Sequence, residues 1–215
     1  MTGRQLDIGY EFGRGWNLFK QNMSVLIIAS LIGILLTLVT CTVLAGPLTA
    51  GMLLIVRRLI LNDPVKPEAG DVLKGFDYFL QAFVYCLLFI VSLFLVVLVL
   101  QVIPVLGQLA GLAVSLFAEA ALMWGMMFVV FQKMTAIDAL KKLVNGITSG
   151  ELLMPLVLGL LTSLLNRAGG FACGVGALFT IPLGYCILVS AYETLFGDGT
   201  DAATAIDPEV IQPFP

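Results

Sequence analysis

The sequence predicts an all-α integral membrane protein, with about six transmembrane helices in three hairpins and an amphipathic interfacial helix before each hairpin. Apolar residues make up 60% of the 215 residues and charged residues only 12%, against roughly 45–50% and about 25% in soluble domains. A water-soluble chain of this length cannot bury that much apolar surface. The second observation is that two charge-free runs are longer than one membrane crossing.

Four charge-free runs divide the chain into its predicted elements. A spanning helix needs about 20 residues to cross about 30 Å of hydrocarbon, so the first two runs must each fold back. Glycine and proline mark the bends at 45–47 and within 103–107, and 166–170 separates the last two runs. The runs are 21–56, 78–118, 152–166 and 168–192.

The predicted membrane domain covers residues 24–193. It follows an amphipathic cytoplasmic or interfacial segment, 1–23, and precedes an acidic, flexible cytoplasmic tail, 194–215. The second and fifth helices are short for a full crossing, so four complete spans with two incomplete ones are the alternative. The predicted spans are 24–44, 47–63, 78–101, 107–131, 151–166 and 170–193.

Basic residues determine the predicted orientation. With six spans, ten of the eleven lysines and arginines lie on one side of the membrane, and only Arg167 lies on the other. Positively charged residues are retained on the cytoplasmic side. We therefore expect a multi-pass protein of the bacterial inner (plasma) membrane with both termini in the cytoplasm.

Three segments that precede the hairpins have apolar residues at three- and four-residue intervals, with basic residues beside them: 5–22, 68–80 and 136–149. This pattern is typical of helices that lie in the headgroup plane, and its recurrence indicates three similar units. The basic side chains of these segments are expected to contact anionic lipid headgroups. They are Arg14, Lys20, Lys74, Lys141 and Lys142.

Glu119 is the residue for which we most expect a special role. It lies near the middle of the fourth predicted span, and Ser115 and Gln108 precede it on the same helix face. A carboxylate at that depth is costly unless it is paired, and such residues usually face the interior of the bundle. We expect it to pair with Arg57 or Arg58, either to fix helix register or as part of a proton or ion relay.

Two pairs of glycines occur at four-residue spacing, Gly107 with Gly111 and Gly170 with Gly174. Small residues let helix backbones approach closely in a bilayer, where oil does not drive helices together. These pairs are expected to pack helices within one chain or, alternatively, between two copies.

The composition also disfavours several classes of function. The chain has no histidine, which removes histidine-based catalysis and histidine metal ligation. The net charge of −3 is opposite in sign to the basic field that nucleic-acid binding requires. The four cysteines have no CxxC spacing and are expected to be small buried hydrophobes. No catalytic residue, metal site or cofactor is predicted.

One stretch of the chain, about residues 10–80, resembles a known family. The residues that carry most of the resemblance are Gly46-Pro47-Leu48-x-x-Gly51, Arg57-Arg58, Asp63-Pro64-Val65 and Asp71-Val72-Leu73-Lys74-Gly75-Phe76. The pattern resembles that of small bacterial inner-membrane proteins that are similar to the membrane domain fused to some glycerophosphodiester phosphodiesterases. The resemblance implies a multi-span inner-membrane protein without established chemistry. It does not imply phosphodiesterase activity, because the chain lacks that domain and its metal ligands.

Together these features favour a non-enzymatic inner-membrane protein that serves as a scaffold or accessory module for other membrane proteins or lipid, or that self-associates. The alternative is a transporter or channel for a small or lipid-like substrate that uses Glu119 at mid-membrane depth. A membrane enzyme acting on lipid would need clustered acids or a nucleophile–base pair near one interface, and the sequence offers neither.

Overall fold

The computed structural model describes residues 6–40, 42–102, 106–171 and 176–197. Within these ranges all regular structure is helical, which confirms the predicted all-α class. The helices are α1 (Ile8–Gln21), α2 (Met23–Val39), α3 (Ala45–Ile60), a 3₁₀ helix (Ala69–Tyr78), α4 (Phe79–Leu100), α5 (Leu106–Phe131), α6 (Ala136–Thr148), α7 (Leu153–Phe171) and α8 (Ala177–Phe196).

Helices form at all three segments that the sequence predicts to be amphipathic. They are α1, the 3₁₀ helix and α6. The starts of α1 and α6 are capped, because the Asp7 side chain accepts hydrogen bonds from two backbone N–H groups and the Thr135 side chain accepts one. The bend between α1 and α2 is 89°. An amphipathic helix therefore turns sharply into an apolar one at this point.

Among the described residues, four helices are long and apolar enough to cross a membrane: α4, α5, α7 and α8. A fifth crossing is possible if α1 and α2 are taken together. By themselves α2 and α3 have only 17 and 16 residues, which is short for about 30 Å of hydrocarbon. Four to five helices of this kind indicate a protein that is embedded in a membrane.

The turn between α2 and α3 reaches only part of the way along α4. Gly46, at the start of α3, lies against the first two turns of α4: a Cβ at Gly46 would be 2.9 Å from the Ala82 carbonyl oxygen and 3.2 Å from Cys86 Sγ. From Cys86, α4 continues for another 14 residues to Leu100, which is about 21 Å at 1.5 Å per residue. Side chains in that part of α4 are mostly exposed.

Several predicted boundaries need correction. The first span ends at Val39 instead of 44, so the bend precedes 45–47, which are helical, and the second span ends at Ile60 instead of 63. The break expected at 166–170 is wrong, since α7 continues through these residues to Phe171. The two glycines in this stretch cost roughly 1 kcal/mol each in helix propensity, and packing of α7 against α5 and α8 outweighs that cost. In addition, α8 continues to Phe196 instead of ending at 193. Residues 103–105, inside the second predicted bend, and 198–215, most of the predicted tail, lie outside the described residues.

The apolar core lies toward one end of the bundle, which we call the base. At the base α3, α5 and α8 finish close together: the Arg57 guanidinium lies 4.7 Å from the Phe131 ring, and the Phe128 and Phe196 rings are 5.6 Å apart. On α5 the buried apolar side chains run from Ala120 to Val130. The other end of the bundle, the far end, is formed by Leu100 of α4, by the start of α5, by the end of α7 at Phe171 and by the start of α8 at Ala177.

Candidate functional site: two polar clusters

The first cluster is an ion pair between two apolar helices, α5 and α7. Glu119 lies 13 residues from the start of α5 and 12 from its end, about 18–20 Å from each. The Arg167 Nη2 atom of α7 lies 3.5 Å from Glu119 Oε2 and 3.4 Å from Ser115 Oγ. Helical side chains lean toward the helix N-terminus. Arg167 therefore reaches toward the base and meets Glu119.

The predicted pairing of Glu119 with Arg57 or Arg58 is wrong. Arg57 is bound to Glu193 and Arg58 to two aspartates of the following loop and 3₁₀ helix. Arg167, which the sequence places alone on the opposite side of the membrane, is the partner instead. The sequence correctly puts Glu119 and Ser115 on one face, since both contact the same guanidinium.

Glu119 is also partly exposed beside α7, whereas we expected it to face the interior of the bundle. The side chains of Glu119 and Arg167 are 37% and 42% exposed.

We call the surface around this pair the α5–α7 face. Its members share an exposed or partly exposed position on the outward sides of the two helices. They are Gln108, Leu112, Ser115 and Glu119 on α5, and Leu161, Leu164, Arg167 and Ala168 on α7. The face is apolar apart from its polar stripe, and its two charged groups sum to zero.

The second cluster is buried at the base. The Arg57 Nε atom lies 2.7 Å from Glu193 Oε1, and the Glu193 side chain is only 3% exposed. Glu11 of α1 is fully buried and accepts hydrogen bonds from the hydroxyls of Ser190 and Thr194 on α8, at 2.5 and 2.7 Å. The contacts hold α1 and α3 against the same stretch of α8.

The charges of this base cluster balance. Arg14 of α1 donates to Thr194 Oγ1 at 3.3 Å, so two carboxylates, Glu11 and Glu193, are gathered with two guanidiniums, those of Arg14 and Arg57. Sequence reasoning missed the cluster, although two local signals exist. Ser190 and Thr194 are four residues apart on one helix face, and Glu193 stands at the end of a charge-free run. Their partners are far away in sequence and could not be assigned.

Arg58 joins the end of α3 to the loop and 3₁₀ helix that follow. Its guanidinium donates to Asp63 Oδ2 at 2.8 Å and to Asp71 Oδ2 at 2.7 Å, and a third bond goes to the Val65 carbonyl oxygen. The hydrogen bond from Arg58 is the main cause of a lowered pKa at Asp63. The pKa of Asp71 is lowered first by Lys74, then by the Glu68 N–H and the Arg58 charge.

Close backbone contact makes the same unit rigid. A Cβ at Gly51 of α3 would lie 1.8 Å from the Val72 carbonyl oxygen, and one at Gly75 would lie 2.0 Å from the Pro47 carbonyl oxygen. Only glycine fits at such distances. The residues that carry the sequence resemblance at 46–76 therefore include the contacts that join α3 to the 3₁₀ helix.

The predicted glycine pairs are used only in part. Gly107 lies against α4, since a Cβ there would be 1.9 Å from the Leu100 carbonyl oxygen. A Cβ at Gly111 or Gly170 would meet no atom of the described residues within 4 Å, and Gly174 is outside that part of the chain. The close contact between α7 and α8 involves Gly169 instead, where a Cβ would be 2.2 Å from Thr180 Oγ1.

The five basic residues predicted to contact lipid have different surroundings. Lys20 and Lys141 are exposed, and Lys20 lies 5.6 Å from the Trp16 ring. Lys74 is 59% exposed and also pairs with Asp71. Arg14 instead turns toward α8. Lys142 is half-buried, where burial lowers its pKa.

Lys142 lies in a pocket of about 590 Å³ at the base. It donates to Gln132 Oε1 at 2.5 Å and lies 4.8 Å from the Phe128 ring. Asp138, also in the pocket lining, accepts a hydrogen bond from the Thr135 hydroxyl at 2.7 Å. These polar groups are engaged with neighbouring residues of the same chain. The pocket therefore gives no indication of a reaction.

In the ranges that the structure describes, no three acidic or cysteine side chains lie close enough together to hold a metal ion. Comparisons with protein families, with curated proteins and with solved structures found no match to this chain. The function must therefore be argued from the two clusters and the surfaces around them.

Proposed function

We propose that this chain is a non-enzymatic, polytopic membrane protein that acts as a scaffold or accessory module, holding other membrane components against its α5–α7 face. One observation carries the proposal. Glu119 at the middle of α5 and Arg167, four residues before the end of α7, form an ion pair between two apolar helices, yet both side chains are more than one-third exposed.

The cost of such exposure supports a partner at this face. A charged side chain at the centre of a bilayer costs at least about 2.5–3.5 kcal/mol. The pair offsets only part of that cost, because its single ionic contact is long at 3.5 Å and shares one nitrogen with Ser115. A neighbouring protein segment could satisfy the remaining donors of Arg167 and exclude lipid from the charges.

In the proposed topology the base faces the cytoplasm of a bacterium, and the protein sits in the inner membrane. Lys20, Lys74 and Lys141 would then contact anionic headgroups. We further propose that α4, α5, α7 and α8 cross completely and that α2 and α3 form a hairpin that enters only part of the bilayer. An even number of crossings keeps both termini on the cytoplasmic side.

Transport is the less favoured alternative. A relay needs several ionisable groups in a path through the bundle, whereas Glu119 is paired with Arg167 at a partly exposed position. Enzymatic activity has no support either, since the buried carboxylates Glu11 and Glu193 bond to hydroxyls and to an arginine of packing helices.

Photo-crosslinking in intact membranes tests the proposal. A photoreactive residue at Leu112, on the α5–α7 face, should give a discrete protein adduct. The same residue at Leu95 of α4, which is 57% exposed, should react mainly with lipid. The adduct at Leu112 should weaken when Arg167→Gln is added, because the charged group helps to hold the partner. Lipid adducts alone at both positions would refute the proposal.

Ion or solute flux in vesicles tests the alternative. Reconstituted protein with Glu119→Gln should behave like the unchanged protein if the pair serves association. A Glu119-dependent flux would show that transport is the better explanation.

A further inference from the structure

We infer that the occupant of the α5–α7 face is a second copy of this chain, with Glu119 of each copy bound to Arg167 of the other. This inference rests on the proposed function and specifies its partner. It follows from charge complementarity, from the depth of the two charged groups, and from the bonding capacity that the single chain leaves unused.

The face is complementary to itself. It carries one negative and one positive side chain, which lie side by side on neighbouring helices. A two-fold axis along the membrane normal keeps every residue at its own depth. Because Glu119 and Arg167 are already within 3.5 Å of each other in one chain, each also lies at the depth of its counterpart in a rotated copy. In such a dimer the Glu119 carboxylate of each copy faces the Arg167 guanidinium of the other, and groups of like charge are not brought together.

The pair in one chain leaves bonding capacity unused. Arg167 has five N–H donors in a planar fork, but the contacts to Glu119 and Ser115 both use Nη2. A carboxylate accepts several hydrogen bonds and can bind a guanidinium through two parallel bonds. A second copy would let each Arg167 bond to the carboxylate of its neighbour through nitrogens that do not contact its own Glu119.

The surface around the pair suits helix association. Leu112, Leu161 and Leu164 are 54%, 37% and 47% exposed, and Ala168 and Ser115 between them are small. Helices associate in membranes through close packing at small residues, supported by polar contacts between them. The α5–α7 face combines both features, whereas the exposed part of α4 beyond Cys86 carries no charged side chain.

Complementation between two variants provides the test. Glu119→Gln and Arg167→Gln, each with a different tag, are expressed separately and together. Each also carries Leu164→Cys as a crosslinking site, in a background with the native cysteines replaced by alanine. A dimer of one variant alone has lost both inter-chain ion pairs. A mixed dimer keeps one, between Arg167 of the first chain and Glu119 of the second, although neither chain retains its internal pair.

We expect crosslinking between the two different variants to exceed crosslinking of either variant with itself by roughly threefold or more, the effect of an ordinary interhelical polar contact in a membrane. The unchanged pair should crosslink most strongly. Cysteine at Leu95 instead of Leu164 is the matched control and should give little product in any combination.

The possible failures are distinguishable. Equal crosslinking of mixed and unmixed variants would overturn the exchange of partners between copies. A protein adduct at Leu112 that contains no second copy would overturn self-association and leave lateral association standing. If every position reacts only with lipid, both the proposed function and this inference fail. Since all arms use the same two variants, a general loss of folding would lower mixed and unmixed crosslinking together and would not create a preference.

Discussion

Replacing Gly51 with alanine should destabilise the protein, because α3 contacts the 3₁₀ helix through backbone at this position. The added Cβ would lie 1.8 Å from the Val72 carbonyl oxygen and 2.6 Å from its carbonyl carbon. Ordinary contacts begin near 3.4 Å, so the 3₁₀ helix must move by roughly 1.6 Å, the difference between the two distances. Overpacking of this kind typically costs 1–3 kcal/mol in the free energy of unfolding. We expect a cost near the upper limit, because the Val72 carbonyl group belongs to the backbone and cannot rotate away as a side chain could.

Alanine also favours the helical state over glycine by about 1 kcal/mol. We therefore expect a net loss of roughly 2 kcal/mol in the free energy of unfolding, or a Tm lower by about 4–8 °C for a chain of this size. Thermal unfolding in detergent, followed by circular dichroism, measures it. Gly33→Ala is the matched control: it lies inside α2, a Cβ there would meet no atom within 4 Å, and it should be neutral or stabilising. If Gly51→Ala were as stable as Gly33→Ala, the close contact would be disproved.

Two further predictions concern charge. Arg57→Gln should cost about 2 kcal/mol in the free energy of unfolding. This is less than the 3–5 kcal/mol of a fully buried pair, because Arg57 is 32% exposed. Adding Glu193→Gln should restore part of the lost stability, and an equal loss in the single and double variants would contradict the pairing. The pKa values of Asp63 and Asp71 are lowered in the folded state, so their stabilisation is present above the unfolded pKa of about 4 and is lost as the pH falls below it. The difference in the free energy of unfolding between the unchanged protein and Arg58→Gln should therefore shrink as the pH falls below about 4. A difference that stays constant down to pH 2 would contradict this.

The positions of the helices could be predicted from the sequence, because the signals are local. A charge-free run and the three- and four-residue spacing of apolar side chains identify α4, α5 and α6 without knowledge of the rest of the chain. The exception is the end of α7, where contacts with α5 and α8 keep two glycines helical. Local propensity predicted a break there, and tertiary packing prevented it.

The partners of the charged residues could not be predicted, because they depend on which helices become neighbours. Arg57 binds Glu193, which is 136 positions further along the chain. No periodicity within α3 indicates that α8 lies beside it. The partner of Glu119 has the same origin: the helix spacing correctly joins it to Ser115, but its pairing with Arg167 depends on α7 lying beside α5.

The uneven distribution of buried contacts connects the fold to the proposed function. The base of the bundle is tightly packed and held by polar contacts. These are the bonds of Arg58, the glycine contacts of α3, and the contacts of the buried Glu11 and Glu193. Toward the far end, α4 extends about 21 Å past Cys86 with most of its side chains exposed. A chain that is stabilised mainly at one end can leave helix surface at the other end free without losing its fold. Glu119 and Arg167 lie just beyond the tightly packed base, where a partner can reach them.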